Sequence, residues 1–371
     1  EVAVYEQATE LREVGAGVQL SANATRVLYA LGVGDAARAL ASEPAGKEIR
    51  LWNTGQTWKL FDLGAVSVQQ YGYPYWTLWR PDLLSVLADA VRRHDPQAIR
   101  LGARCVGCVA GASGARLVLA DGSEPEGAAV VGADGVFSQV RRALFGADAP
   151  AFSGLLAWRG VIPMSRLPAH FARPVGSNWV GPGRHVVHYP LHRGELMNFV
   201  GVVERSDWQV ESWTERGTHD ECRRDFAGWH EDVHAMIEHI DVPYKWALMT
   251  RAPLQRWSAG CATLAGDACH PTLPFLAQGA AMAIEDGLVL ARCLQQDRGD
   301  VVAAFERYQR ARLERTTRVV VGSAENAKRF HDQSLSDAAQ AQRYVDREWS
   351  EARIRQRYEW LFEYDAASVP L

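Results

Sequence analysis

The sequence predicts an α/β protein in which one discontinuous domain is interrupted by a mainly antiparallel β-sheet domain and followed by a helical C-terminal segment. Three observations predict it. Short apolar runs of strand composition recur far apart, at 2–5, 128–131 and 261–265, each leading into glycine or a carboxylate, the pattern of strands buried on both faces. Between the second and third, strand-like segments rich in Trp, Val and His recur from Phe152 to Val242. From Val301 onward nearly all of the chain keeps a helical period.

The opening run Val2-Ala-Val-Tyr5, followed by Glu6, needs neighbours on both edges, and no Met precedes it; material before Glu1 is therefore expected. Ser21-Ala-Asn23 then introduces Ala24, Val27, Leu28 and Leu31 at helical spacing, with Gly32 as the C-terminal cap. From about Lys47 to Tyr75, alternating aromatic and polar residues (Trp52, Trp58, Phe61) predict antiparallel strands of a different sheet. Arg80-Pro81-Asp82 opens a helix with Leu84, Leu87, Ala88 and Val91 on one face. The strand 116–119 precedes an Asp121-Gly122 turn, and the run 128–131 leads into Gly132-Ala-Asp134-Gly135. Strand-like runs follow at 158–162, 179–191 and 197–203, then a helix near 219–240. The strand 261–265 ends in Gly266-Asp267, a Pro-bounded loop and a long helix from about Gly279 to Cys293.

These changes of period divide the chain into a discontinuous domain (1–46, 79–150 and 253–298), a sheet domain (47–78 and 151–252) and a helical segment (299–371). The late aromatics Trp349, Tyr358, Trp360 and Phe362 pack either on the body or on a second subunit, as in a homodimer.

Composition removes several classes. With 47% hydrophobic and 23% charged residues over 371 positions, the chain suits a soluble globular enzyme of two domains. A net charge of -4 without a basic stripe argues against nucleic acid. Apolar stretches stop short of the roughly eighteen residues a membrane span needs, and the first residues show neither a basic n-region nor an A-x-A cleavage site; a cytoplasmic protein is expected. Six scattered cysteines predict no disulfide. Cys105 and Cys108 form a lone C-x-x-C that lacks a second ligand pair, so no metal site is expected.

Glu6 ends an early strand where Rossmann-like dinucleotide folds place the carboxylate that binds the adenosine ribose, although no G-x-G-x-x-G precedes it. Strand-end charges are also common without that role. Three stretches add weight: Arg12-x-x-Gly15-Ala-Gly17-Val18; Gly132-Ala-Asp134-Gly135-x-x-Ser138-x-Val140-Arg141; and Gly266-Asp267-Ala-Cys-His270-Pro271-x-x-Pro274 running on to Gln278-Gly279. In order and spacing these resemble the group A flavoprotein monooxygenases of the salicylate hydroxylase type, over residues 1 to about 295.

The resemblance implies an FAD-binding domain with an inserted substrate domain. Asp267, after Gly266, would bind the ribityl chain. The first amides of the last helix, at Gly279 and Ala280, would face the flavin pyrimidine ring, where a helix N-terminus favours negative charge. The loop from Pro271 through Pro274 to Gly279 would wall the oxygen site. Asp134 and Arg141 match a fingerprint linked to FAD and the nicotinamide donor, while Ser138 and Arg141 also suit the cap and first turn of a helix ending at Gly146. Arg12 and Arg80 resemble flavin-contacting arginines; Trp79 and Pro81 depart from the family's usual His and Ala around Arg80, and Cys269 stands where Ala is common.

On a strand, His185 and Tyr189 share a face and His188 points away. They match the His and Tyr that line the family's substrate pocket, with His185 as the base for a phenol proton; a hydrogen-bonded sheet histidine is the plain alternative. Gln278 would orient the substrate or cap the helix it precedes, and His270 would position its loop. The implied activity uses FAD, NADH or NADPH and O2, through a flavin C4a-hydroperoxide, to hydroxylate a small phenolic or hydroxylated heteroaromatic carboxylate. The competing classes are a flavoprotein epoxidase or reductase of a non-aromatic substrate, and a non-catalytic ligand-binding relative that lacks FAD.

Overall fold

A computed structural model of the chain describes residues 1–11, 16–207 and 215–371. Strands distant in sequence pair in parallel: Val4–Tyr5 with Ile99–Arg100, and Val130–Gly132 with Ala262–Leu264. A sheet strand closed by a partner some 130 residues away builds one α/β unit from separate stretches of chain. Helix Gly279–Gln296 packs between Ala22–Ala30 and Val301–Phe330, and its buried Ala281, Met282, Val289 and Cys293 give it the close contact that such sandwiching needs.

The second layer is a seven-stranded sheet in the order Tyr244–Thr250, Ala151–Pro163, Leu196–Glu204, Arg184–Leu191, Val175–Gly181, Gly46–Leu51, Thr57–Asp62. Every neighbour is antiparallel except Val175–Gly181 beside Gly46–Leu51. Alternation gives the sheet two different faces. One carries Trp158, Trp179, Val186 and Phe199 under helices His219–Asp225 and Glu231–His239. The other carries Ile49, Leu51, Val180 and Val202 and packs on Leu273, Phe275, Leu276 and Phe330.

The structure corrects four local expectations. A helix, Ala65–Tyr71, occupies part of the stretch read as strand. The run 179–191 is a hairpin, turning at Gly183 with φ +66°, where a side chain would be strained. The helix near 219–240 is two, separated around Gly228. Trp76–Trp79, placed by sequence mostly in the sheet domain, pairs instead with Gly17–Leu20 of the first. Period alone cannot choose a strand's partner, and none of these breaks changes the local residue pattern much.

The tail forms Val301–Phe330, Ala338–Glu348 and Glu351–Phe362. Its aromatics pack on the chain's own body: Tyr358 lies 5.4 Å from Phe61, Phe362 5.6 Å from Tyr71 and 6.1 Å from Tyr75, centroid to centroid. All six cysteines are free thiols. Among the described residues, no helix is long and apolar enough to cross a membrane.

Candidate active site

Strand Ala262–Leu264 delivers Gly266 and Asp267 to a cleft beside the start of helix Gly279–Gln296. Asp267 is deep among protein atoms yet its side chain faces solvent, the mark of a group lining a concavity. Burial raises its carboxyl pKa, opposed by nearby His270 and Arg80. Pro274 starts a short 3-10 turn, and Ala277 takes a left-handed conformation (φ 55°) that redirects the chain into the helix. The helix N-terminus has no side-chain cap and no acid in its first turn, so the partly exposed Gly279 and Ala280 present unsatisfied amides and the positive end of the helix dipole. An accessible carboxylate, an arginine and an uncapped helix start are donors and acceptors suited to the ribityl, pyrimidine and anionic parts of FAD.

A buried ionic cluster fixes this loop. Asp286 accepts from His270 Nε2 (2.6 Å), Gly266 N (3.0 Å) and Arg312 Nε (2.8 Å). Glu285 accepts from Arg315 (2.7 Å), Arg312 (2.7 Å) and Asn23 Nδ2 (2.6 Å). Burial pushes the Asp286 carboxyl up, but His270 and Arg312 outweigh it and hold it well below the usual range. Cys269, His270 and Asp286 bring ligand atoms within 4.8 Å of one another, but the Asp286 oxygens are already committed to His270, Gly266 and Arg312. His270 thus holds the loop, as its sequence context suggests.

Gln278 is placed differently from either sequence expectation. It makes no cap; its Nε2 donates to Ser21 Oγ (2.9 Å) and its Oε1 accepts from Asn23 Nδ2 (3.0 Å). That amide, 1% exposed, ties two helices together rather than facing a substrate. Asp134 is also engaged within the fold. Its carboxylate accepts from Ser138 Oγ (2.5 Å), Gln139 N (2.7 Å) and Val140 N (3.2 Å), closing the start of helix Gln139–Phe145. Arg141 bonds Asp148 and the Ala268 carbonyl (3.3 Å), buttressing the Gly266–Ala268 turn. Glu6 ends strand Val4–Tyr5 and accepts from Ala8 N (2.7 Å). Arg12 lies outside the described residues. Arg80 lies near enough to both Asp267 and Tyr189 to lower their pKa values, bridging the cleft and the sheet.

His185 and Tyr189 are both buried on the inner face of strand Arg184–Leu191. Burial raises the Tyr189 hydroxyl well above its ordinary value, with Arg80 and Gln19 opposing. Its ring sits so close to Gly17 that a Cβ there would stand 2.6 Å from Cε2, which explains a glycine in the Gly15-Ala-Gly17 stretch; Gly17 N also donates to Asn198 Oδ1 (2.7 Å). The His185 ring is enclosed by Phe275 (5.0 Å) and Phe330 (5.2 Å). Its Nδ1 lies 2.6 Å from His331 Nε2, and His331 Nδ1 lies 2.8 Å from Glu204 Oε1.

The tautomers follow from the end of that chain. A carboxylate only accepts, so His331 Nδ1 carries the proton; its bare Nε2 accepts from His185 Nδ1, and His185 Nε2 is left as a lone-pair acceptor. Burial and the neighbouring His331 hold His185 neutral to well below pH 6.5, and burial lowers His331 as well, opposed by Glu204. His188 points to the other face, where burial and Arg50 bring its pKa to about 3. His331 and Glu204 were not legible as site residues: one ends a long helix, the other a strand, and neither lies in a motif. The acidic pair Glu285-Asp286 was a usable signal, two charges within an otherwise apolar helical run.

Comparison with known proteins is consistent with this geometry. The model of a family described as FAD binding domain matches residues 2–323. A 3-amino-4-hydroxybenzoate 2-monooxygenase, PtnB3, of Streptomyces platensis is 38% identical over 369 residues, covering 100% of this chain and 91% of that protein. A 6-hydroxynicotinate 3-monooxygenase of Pseudomonas fluorescens is 33% identical, covering 100% of this chain and 90% of the other. The crystal structure of Klebsiella pneumoniae HpxO complexed with FAD and uric acid superposes with a TM-score of 0.82 at 23% identity, covering 95% and 90% of the two chains, a likeness of fold.

Proposed function

The chain belongs to the FAD-binding-domain family of aromatic-ring hydroxylating monooxygenases, and from that premise we propose that it hydroxylates a small phenolic or hydroxylated heteroaromatic carboxylate with FAD, NADH or NADPH, and O2. The first domain (1–46, 79–150 and 253–298, extended to take in Trp76–Trp79) holds the flavin, and the seven-stranded sheet bears the substrate. Bound FAD, reduced by the nicotinamide donor, supplies the oxygen-transfer chemistry.

The observation that carries the residue assignment is the bare Nε2 of His185 on the sheet face it shares with Tyr189. His185 Nε2 accepts the phenol proton as the ring is hydroxylated, which makes the ring more electron-rich. As it does so, the proton on Nδ1 passes to His331 Nε2, and that on His331 Nδ1 passes to Glu204, whose carboxylate is 58% exposed. No charge then accumulates in the apolar enclosure of Phe275 and Phe330, where it would be expensive. Tyr189 orients the ring. Asp267, Arg80 and the amides of Gly279 and Ala280 hold the cofactor, and the Pro274 turn excludes water from the reacting face.

The test is a panel of hydroxybenzoates and hydroxynicotinates with FAD-loaded protein, following NAD(P)H oxidation and hydroxylated product together. Coupled product formation with at least one acid is expected. FAD-loaded protein that oxidises NAD(P)H at an unchanged rate with every acid, and forms no product, refutes the substrate class.

A further inference from the structure

We propose that Lys47 is the cation that receives the substrate's carboxylate. This rests on the substrate class proposed above and names the residue that selects for it.

The register sets Lys47 opposite Gly176 on strand Val175–Gly181, and opposite Phe61 on its other side. A Cβ on Gly176 would lie 3.6 Å from Lys47 Cγ and 3.7 Å from Tyr189 Cβ, so Lys47 and Tyr189 flank a residue with no side chain, on the face that also bears His185. The missing side chain leaves room for a ligand between a cation and a phenol. By strand spacing, the Cα atoms of Lys47 and His185 lie roughly 16 Å apart, a span that a carboxylated ring and the two side chains reaching for its ends would fill.

The ammonium itself lacks an anion. Lys47 makes no ion pair among the described residues, and the acids beside it are engaged elsewhere: Asp62 with Lys59 at 2.6 Å, and Glu48, on the opposite face, with Arg173 at 3.0 Å and Ser177 at 2.7 Å. What Nζ has instead are aromatic rings, Tyr75 at 5.0 Å and Phe61 at 5.9 Å. Tyr75 in turn donates to Gln19 (2.8 Å), on the strand that packs beside Tyr189. Like Asp267, Lys47 is deep among protein atoms yet partly exposed, as a cavity-lining residue is. Desolvation lowers its pKa to about 7, a cost that a bound carboxylate would reverse. A structural lysine would be expected to find a carboxylate; a half-buried lysine held over two rings without one is poised for an anionic ligand.

The experiment measures Kd by calorimetry on FAD-loaded protein for 3-amino-4-hydroxybenzoate, 6-hydroxynicotinate and the carboxamide of each. In Lys47→Met, the acid that binds wild type most tightly is expected to weaken on the order of 30-fold while its amide changes by less than about threefold. Lys47→Arg, which keeps the charge, is expected to recover most of the loss and serves as the test if the Met variant does not fold. Equal weakening of acid and amide by Lys47→Met, no weakening of either, or a folded Lys47→Arg variant that weakens the acid on the order of 30-fold overturns the assignment. Wild type that binds amides as tightly as acids also overturns it while leaving ring hydroxylation standing. Wild type that binds no member of the panel overturns both this assignment and the substrate class beneath it.

Discussion

Replacing Glu204 by Gln tests the proton path without touching the pocket. Glu204 accepts from His331 Nδ1 at 2.8 Å, and only because a carboxylate cannot donate does each histidine keep the tautomer that leaves His185 Nε2 bare. A glutamine amide can donate as well as accept, so in Glu204→Gln the chain is free to invert, with His185 Nε2 then carrying a proton and unable to take another. A hydrogen bond to a charged acceptor contributes about 1.5–3 kcal/mol; with the carboxylate 58% exposed, solvent screening reduces the tautomer bias to about 1 kcal/mol. Because glutamine also cannot take the terminal proton, the whole bias is lost from the transition state and a roughly fivefold lower hydroxylation rate is expected. His185→Ala is expected to lose on the order of 10²–10⁴-fold. The assay is the single-turnover hydroxylation rate from pH 6.5 to 9, with FAD reduced beforehand. Wild type should be flat across this range, because both histidines are held neutral below it and raising pH cannot improve a base already deprotonated. His185→Ala should instead rise with pH as the substrate's phenol ionises in solution. A Glu204→Gln rate equal to wild type with an unchanged solvent isotope effect, or a His185→Ala profile that stays flat, refutes the path.

Three further outcomes follow from the geometry. Arg312 is fully buried between Glu285 and Asp286; Arg312→Met leaves those carboxylates with only Arg315, Asn23, His270 and Gly266, and is expected to cost about 3 kcal/mol, read from urea midpoints, with an unchanged midpoint counting against the ionic account. His188 has a folded pKa of about 3 against roughly 6.5 unfolded, so its stabilising effect is complete above pH 6.5 and falls away as pH drops towards 3; His188→Leu should therefore gain about 2 kcal/mol at pH 5 relative to pH 7, and a difference that does not depend on pH would contradict it. Asp267→Ala should weaken FAD binding by on the order of 10–100-fold, measured by flavin fluorescence, and an affinity for FAD equal to that of wild type would remove Asp267 from the cofactor site.

Much of the candidate site could be read because its motifs are local. Gly266-Asp267 and the helix after Gln278 sit together in one stretch, and the four-residue spacing of His185 and Tyr189 fixes a common face on any strand. What could not be read were choices made across the fold. Gln278 and Asp134 carry side chains suited to ligands, and both are consumed by the protein's own backbone and polar groups. Asp134 stands four residues before a serine N-cap, a spacing that suits helix capping as well as cofactor contact. Lys47 reads as an ordinary polar alternation in a strand; only the register, which places it over Tyr75 and opposite Gly176, distinguishes it.

The tail is where these separate choices meet. Helix Val301–Phe330 spans about 45 Å at 1.5 Å per residue. Near its middle Arg312 and Arg315 clamp the helix whose first amides are proposed to hold the flavin. At its end the chain turns at His331, which sets the tautomer of His185. A 3-10 turn, Pro274–Leu276, is pinned along the same helix by Ser323 to Leu273 and Asn326 to Phe275, and Phe275 packs on the His185 ring. One helix therefore positions the Gly266–Ala268 turn through Asp286, the Pro274–Leu276 turn and the proposed base His185, so displacing it would disturb all three together. Asn326→Leu, which frees the Phe275 carbonyl and leaves Arg312 and His331 in place, separates the wall from the rest: product coupling should fall while FAD affinity stays unchanged. A variant that instead loses FAD in step with coupling would mean that the wall and the cofactor loop move as a single unit.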